Sequence, residues 1–145
     1  MRIARMILAV VVGLVVGSIV NMGLVMLGPQ VFPPPGGADV TTMEGLKATL
    51  HLFEPRHFVF PFLAHALGTF VGAWLATLVA PGRSPVPGWI VGVLFLAGGI
   101  ANVMMLPAPY WFSAVDLIFA YLPMAWLALK VAGARETPGT IAPAR

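Results

Sequence analysis

Met6-Ile-Leu-Ala-Val-Val-Val-Gly-Leu-Val-Val-Gly-Ser-Ile-Val-Asn-Met-Gly-Leu-Val-Met-Leu27 holds no charge, and apart from its glycines only Ser18 and Asn21 interrupt its apolar character. A helix needs roughly 20 mostly apolar residues to cross about 30 Å of hydrocarbon, and this run is long enough. Three further stretches qualify: 58 to 80, 88 to 106 and 113 to 130. They leave one sizeable connection, residues 28 to 57, and a short end from 131 to 145. The expected fold is therefore all-α, a polytopic membrane protein built as a four-transmembrane-helix bundle, with a single membrane domain over 1 to 130.

Composition agrees with that reading. Apolar residues make up 59% of the 145 positions and charged residues 9%, with a mean hydropathy of +0.95; a water-soluble core cannot absorb that much apolar surface. The absence of cysteine excludes thiol chemistry, Cys-ligated zinc and disulfides. The net charge of +3 comes from dispersed residues near helix ends, where lipid topology accounts for them, so no nucleic-acid partner is expected. Met1-Arg-Ile-Ala-Arg5 has the character of a signal-peptide n-region, but the apolar run behind it is too long and no Ala-x-Ala site follows. The first helix is therefore expected to stay as an anchor.

Arg2, Arg5, Arg83, Lys130, Arg135 and Arg145 fall on one side of such a bundle, and Lys47 and Arg56 on the other. The positive-inside rule makes the first side cytoplasmic, with both termini inside and Tyr110, Trp111, Phe58 and Phe60 at the outer interface. In the first outer loop, Gly28-Pro29 and Pro33-Pro-Pro-Gly-Gly37 predict non-helical chain. Beyond them Met43, Leu46, Leu50 and Phe53 recur at helical spacing behind Thr41 or Thr42, predicting a short capped amphipathic helix on the outer surface. The Ala-, Gly- and Pro-rich end, 131 to 145, is expected to be a flexible cytoplasmic tail.

Gly17-Ser-Ile-Val-Asn21 parallels Gly98-Gly-Ile-Ala-Asn102, and Ala73-Trp-Leu-Ala76 parallels Ala125-Trp-Leu-Ala128, with Phe60 matching Phe112 at the same offset of 52. Two parallel two-helix repeats about an axis along the membrane normal would give this pattern. Chance likeness among apolar helices would give it too.

The most informative feature is a layer of polar residues inside the spans. Asn21 lies about six residues, or roughly 9 Å, below the outer end of helix 1, and His65 about seven residues below that of helix 2. Asn102 and Asp116 lie about four residues below theirs. Because the helices alternate in direction, all four reach one depth in the outer half of the bilayer. Asn21 shares its face with Gly17, His65 with Gly68, Thr69 and Gly72, and Asn102 with Gly98 and Gly99. Small residues let backbones approach, as in the Gly13-x-x-x-Gly17, Gly68-x-x-x-Gly72 and Gly88-x-x-x-Gly92 pairs, so these faces should point into the bundle.

Each polar residue has a structural and a functional reading. The asparagines read first as interhelical hydrogen-bond glue and second as ligand contacts, and His65 first as a neutral core residue and second as a proton- or ligand-binding group. Asp116 fits a capping box, Ser113-Ala-Val-Asp116, with Phe112 and Leu117 as the hydrophobic staple. The alternative is a pair with His65, in which the carboxylate fixes the ring tautomer. Pro123 predicts a kink that frees the carbonyl of Phe119, whereas Pro61 lies near the start of its helix, where it costs little.

Outside the spans, His51, Glu54 and His57 are the side chains of metal-binding type. Zinc wants three or four converging ligands, and Pro55 redirects the chain between Glu54 and His57, so no metal and no other cofactor is expected. No phosphate-binding glycine loop, nucleophile elbow or zinc-protease His pair occurs in the sequence, which argues against an enzyme.

The runs His65-Ala-Leu-Gly-Thr-Phe-Val-Gly-Ala73 and Asn102-Val-Met-Met-Leu-Pro-Ala-Pro-Tyr-Trp-Phe112 resemble those of small bacterial four-span inner-membrane proteins to which no activity is attached. The resemblance covers most of the chain except the tail. It implies a bacterial inner-membrane setting and carries over no functional residue. The leading expectation is a non-enzymatic accessory or interaction subunit, or a homo-oligomer, in contact with lipid and a membrane-protein partner. The alternative is a small transporter or channel with Asn21, His65, Asn102 and Asp116 lining its site.

Overall fold

A computed structural model describes residues 1–136; residues 137–145, the greater part of the expected tail, lie outside the described residues. The elements run α1 (Arg2–Val31), α2 (Met43–Thr49), α3 (Val59–Val79), α4 (Pro85–Met105), α5 (Tyr110–Phe119) and α6 (Leu122–Val131). No strand occurs among the described residues. With α5 and α6 forming one span, Tyr110–Val131, the protein has four helices long and apolar enough to cross a membrane. Helix α3 is central: it packs on α1, α4, α5 and α6. We call the end bearing residues 32–58 the loop end and the opposite end, which bears the N-terminus and the close of α6, the terminal end.

What draws the helices together is the absence of side chains on facing stripes. A Cβ placed on Gly13 would lie 2.5 Å from the Gly72 carbonyl oxygen, and one on Gly72 would lie 2.7 Å from the Gly13 carbonyl oxygen. Gly17 and Gly68 face each other in the same reciprocal way. The two glycine pairs of α1 and α3 thus form one seam of backbone on backbone, as the small-residue stripes predict. Helix α4 repeats the device with Gly88 against Thr77 and Leu129, and with Gly92, whose added Cβ would lie 2.6 Å from that of Ala125. The core between them consists of Ala73, Ala76, Val91, Ala125, Ala128 and Leu129. Large apolar side chains point outward instead, with Ile7, Val11, Val15, Ile19, Met22 and Met26 all exposed on α1, the arrangement lipid as solvent requires.

Several local expectations are corrected. Helix α1 passes through Pro29 to Val31 rather than ending at Gly28. A proline this close to a C-terminus removes one hydrogen bond from a turn that is about to end, and the Phe32 amide still closes on the Gly28 carbonyl at 2.8 Å. Helix α2 is capped by Thr42, whose hydroxyl accepts from the Gly45 amide at 2.9 Å. Yet it is only seven residues long, and the apolar residues around and after it turn inward: Leu46, Leu50 and Phe53 pack with Phe58 and Phe112 across the loop end of the bundle. Phe58, expected at the interface, is 5% exposed for that reason. In the same loop Asp39 accepts from the Thr41 hydroxyl and amide, and these bonds hold its carboxyl below the ordinary value.

At the terminal end, residues 132–136 turn back over the α3–α4 turn. Gly133, at φ +64, supplies the left-handed turn that stops α6. The returning chain bonds the α3–α4 turn, with Arg135 N donating to the Arg83 carbonyl at 3.0 Å and the Arg83 guanidinium to the Ala132 carbonyl at 3.1 Å.

The seam makes a direct prediction. Gly72→Ala should destabilise the bundle by about 1–3 kcal/mol, since backbone must move to admit the methyl group, whereas Gly98→Ala, whose Cβ meets nothing within 4 Å, should leave stability unchanged. Reversible unfolding in mixed detergent–lipid micelles measures both. Equal effects would contradict the packing described.

Candidate functional site

The fourth span is broken where Pro123 predicts it. A proline at 123 has no amide to bond the Phe119 carbonyl, and the chain leaves helical geometry at Tyr121 (φ −116, ψ −83) before α6 starts at Leu122. The break turns the Tyr121 side chain inward to 1% exposure, onto Gly99 of α4, where the missing side chain makes room for its ring and hydroxyl.

Asp116 does not act as a cap. Helix α5 begins at Tyr110 behind Pro109, so Ser113 and Asp116 both lie within it. The Ser-x-x-Asp spacing is a local pattern, and tertiary contacts have taken it over: Pro109 fixes an earlier start, and Phe112 is drawn into the loop-end cluster. The carboxyl, 2% exposed, lies against α3 instead. Its Oδ1 and Oδ2 are 2.8 and 3.0 Å from His65 Nδ1, and Oδ2 accepts from the Tyr121 hydroxyl at 2.9 Å. The Tyr121 and His65 rings stack, with centroids 5.7 Å apart.

The arrangement determines which side of the imidazole is available. A carboxylate only accepts, so Nδ1 carries the proton in the neutral ring and Nε2 keeps a free lone pair. Nε2 has no hydrogen-bond partner among the described residues, and His65 lines a cleft of about 370 Å³ between α1 and α4. Asn21 and Ser18 line it from α1, Asn102, Gly98 and Gly99 from α4, and Tyr121 from the break. Asn21, His65 and Asn102, picked out on sequence, therefore meet in one cleft, with Asp116 directly behind His65. Two buried polar atoms, Asn21 Oδ1 in the cleft lining and Thr69 Oγ1 one turn along α3 from His65, have no partner among the described residues.

Toward the terminal end the cleft is closed by apolar packing. A Cβ on Gly17 would lie 3.0 Å from the Phe95 ring, and Val10, Leu14 and Phe95 pack against the buried cluster that contains Val91. The polar half and the dry half of the bundle thus meet at Phe95.

Sequence reasoning missed Tyr121 and Ser18. The signal for Tyr121 was present: the kink at Pro123 removes the helical period between Asp116 and Tyr121, so residues five apart can share a face. Asn21 and Asn102, aligned in the internal likeness, do both reach the cleft, and Ala73 and Ala125 meet in one core cluster. The two halves differ at the dyad, since an offset of 52 sets Asp116 against Ala64 and Tyr121 against Thr69.

His51, Glu54 and His57 do not converge. The His57 ring is buried, taking the Glu54 amide on Nδ1 at 2.9 Å and donating from Nε2 to the Pro33 carbonyl at 3.1 Å. Glu54 pairs with Arg56 at 3.0 Å, while His51 is exposed. No three His, Asp or Glu side chains gather as metal ligands among the described residues. Instead His57 ties the extended Pro33 segment to the start of α3.

The chain matches no protein family, no curated protein and no solved structure. Its own residues therefore carry the functional reading.

Removing one member of the dyad tests its geometry. His65→Ala removes one donor from the buried Asp116 carboxylate and opens a cavity beside it, and should cost about 3 kcal/mol. Tyr121→Phe removes one hydrogen bond and should cost about 1 kcal/mol. Equilibrium unfolding gives both values, and a larger loss for Tyr121→Phe would contradict the assignment.

Proposed function

We propose that this protein is a small, non-enzymatic membrane transporter in which His65, oriented by Asp116, takes up and releases a proton or a small polar group at the cleft. The observation that carries this reading is the 2.8 Å contact between His65 Nδ1 and Asp116. Ionisable groups within spans are costly and mark pathways and relays, and this pair leaves one basic nitrogen unbonded on a residue that lines an open cleft. The lone pair on Nε2 accepts the proton, and the resulting imidazolium is neutralised by the carboxylate already in contact with it. Release reverses the step. Asp116 and Tyr121 are the titratable groups that face His65, and Ser18, Asn21 and Asn102 present uncharged polar atoms from α1 and α4.

The setting we propose is the bacterial inner membrane, both termini cytoplasmic and the loop end outward. It is supported by Arg2, Arg5, Arg83, Lys130 and Arg135 on one side and by the resemblance of the His65 and Asn102 runs. The cleft then opens in the outer half of the bilayer, and Phe95 with the glycine seam closes the path inward. The break at Tyr121 is a natural point for α5 to move against α6. The dyad beside an open cleft favours this reading over that of an accessory or homo-oligomeric subunit.

In proteoliposomes with an imposed pH or solute gradient, the parent protein should carry flux. His65→Ala or Asp116→Asn should abolish that flux while helical content by circular dichroism stays unchanged. No flux in the parent, or unaltered flux in the variants, would overturn the reading.

A further inference from the structure

We infer that the cleft admits its ligand sideways from the lipid, and that the ligand is an uncharged amphiphile with a hydroxyl head, of the alkylphenol type. This names the substrate class for the site and rests on the reading of His65 as its binding group.

The route is indicated by where the rim lies. Ser18 stands near the middle of α1 and Leu94 and Gly98 near the middle of α4, all three exposed. No residue of the 32–58 segment lines the cleft. The opening is therefore on the flank of the bundle, at the depth where lipid chains run, and a Cβ on Gly98 would meet nothing within 4 Å. Toward the terminal end Phe95 closes it, and Tyr121 against Gly99 forms its back wall.

The chemistry of the ligand follows from the walls. Leu14, Leu94 and Phe95 supply apolar surface, while Ser18, Asn21, His65 and Asn102 supply polar atoms. Apart from His65 itself no ionisable cationic or acidic side chain lines the space. A head with a fixed charge would thus shed its hydration without a counter-charge in contact, a cost of several kcal/mol in such surroundings. A neutral hydroxyl has no such cost. Its O–H donates to His65 Nε2, whose lone pair Asp116 keeps available, and its oxygen accepts from an amide of Asn21 or Asn102. A cleft of about 370 Å³ takes one aromatic ring with the first part of an alkyl chain. The rest of the chain extends through the flank opening into lipid.

The test uses the full chain in lipid nanodiscs, with retention of tritiated 4-decylphenol measured against protein-free discs. The parent protein should bind it saturably, and decylbenzene, which lacks the hydroxyl, should not compete. His65→Ala should weaken retention by about tenfold, the value of one hydrogen bond near 1.4 kcal/mol. Gly98→Leu, which puts a bulky side chain at an opening where an added Cβ meets nothing within 4 Å, should block it. Equal retention of decylphenol and decylbenzene, or retention untouched by Gly98→Leu, would overturn the inference. His65-dependent flux without decylphenol binding would overturn this substrate class and leave the transporter reading standing. Saturable binding without flux in the parent would do the reverse.

Discussion

A carboxylate withdrawn from water among apolar helices must be given donors or be lost from the fold, and Asp116 sets the terms for everything around it. Leaving it unpaired would cost several kcal/mol, a large share of a small protein's stability. Two donors answer it, the His65 ring across from α3 and the Tyr121 hydroxyl from the break in its own span. Supplying the second requires that the helix stop between Phe119 and Leu122, which Pro123 makes inexpensive. Housing the Tyr121 ring requires that α4 present no side chain at position 99, where glycine stands. The break, the glycine and the histidine orientation are thus three consequences of one buried charge.

The division of the bundle into a polar half and a dry half follows from the same economy. Where α1 and α3 meet through Gly13, Gly17, Gly68 and Gly72, backbone lies on backbone and any added Cβ would meet a facing carbonyl oxygen. One turn further toward the loop end, Asn21 and Ser18 on α1 and Gly98 and Asn102 on α4 leave space between the helices, and this space is the cleft. Close packing in one half therefore lets the helices part in the other. In lipid such packing has to come from shape and backbone contact, because hydrophobic burial between helices supplies little drive.

Much of this was legible in the sequence because the membrane simplifies the physics. Length and apolarity alone give four spans, and alternation of direction alone brings Asn21, His65, Asn102 and Asp116 to one depth. Glycine spacing identifies the seam, Thr41 or Thr42 the cap of α2, and Pro123 the broken span. What escaped depended on contacts between distant residues. Ser113-x-x-Asp116 has the spacing of a cap, but Pro109 starts the helix earlier and His65 claims the carboxylate. Phe58 belongs to an interfacial type, yet the loop folds Leu50 and Phe53 over it. Pro29 looked like a stop, and a last helical turn tolerates it. Tyr121 could be placed only once the break was known to cancel the helical period.

Asp116 holds the His65 ring by Nδ1, so that Nε2 is the nitrogen left for the cleft to use. Nitrogen-15 NMR of histidine-labelled protein in lipid bilayers reads this directly, with His65→Ala assigning the resonance. The neutral His65 ring is predicted to carry its proton on Nδ1, with Nε2 unprotonated, and Asp116→Asn should shift both signals. A proton found on Nε2 with Nδ1 bare, or signals indifferent to Asp116→Asn, would contradict the account.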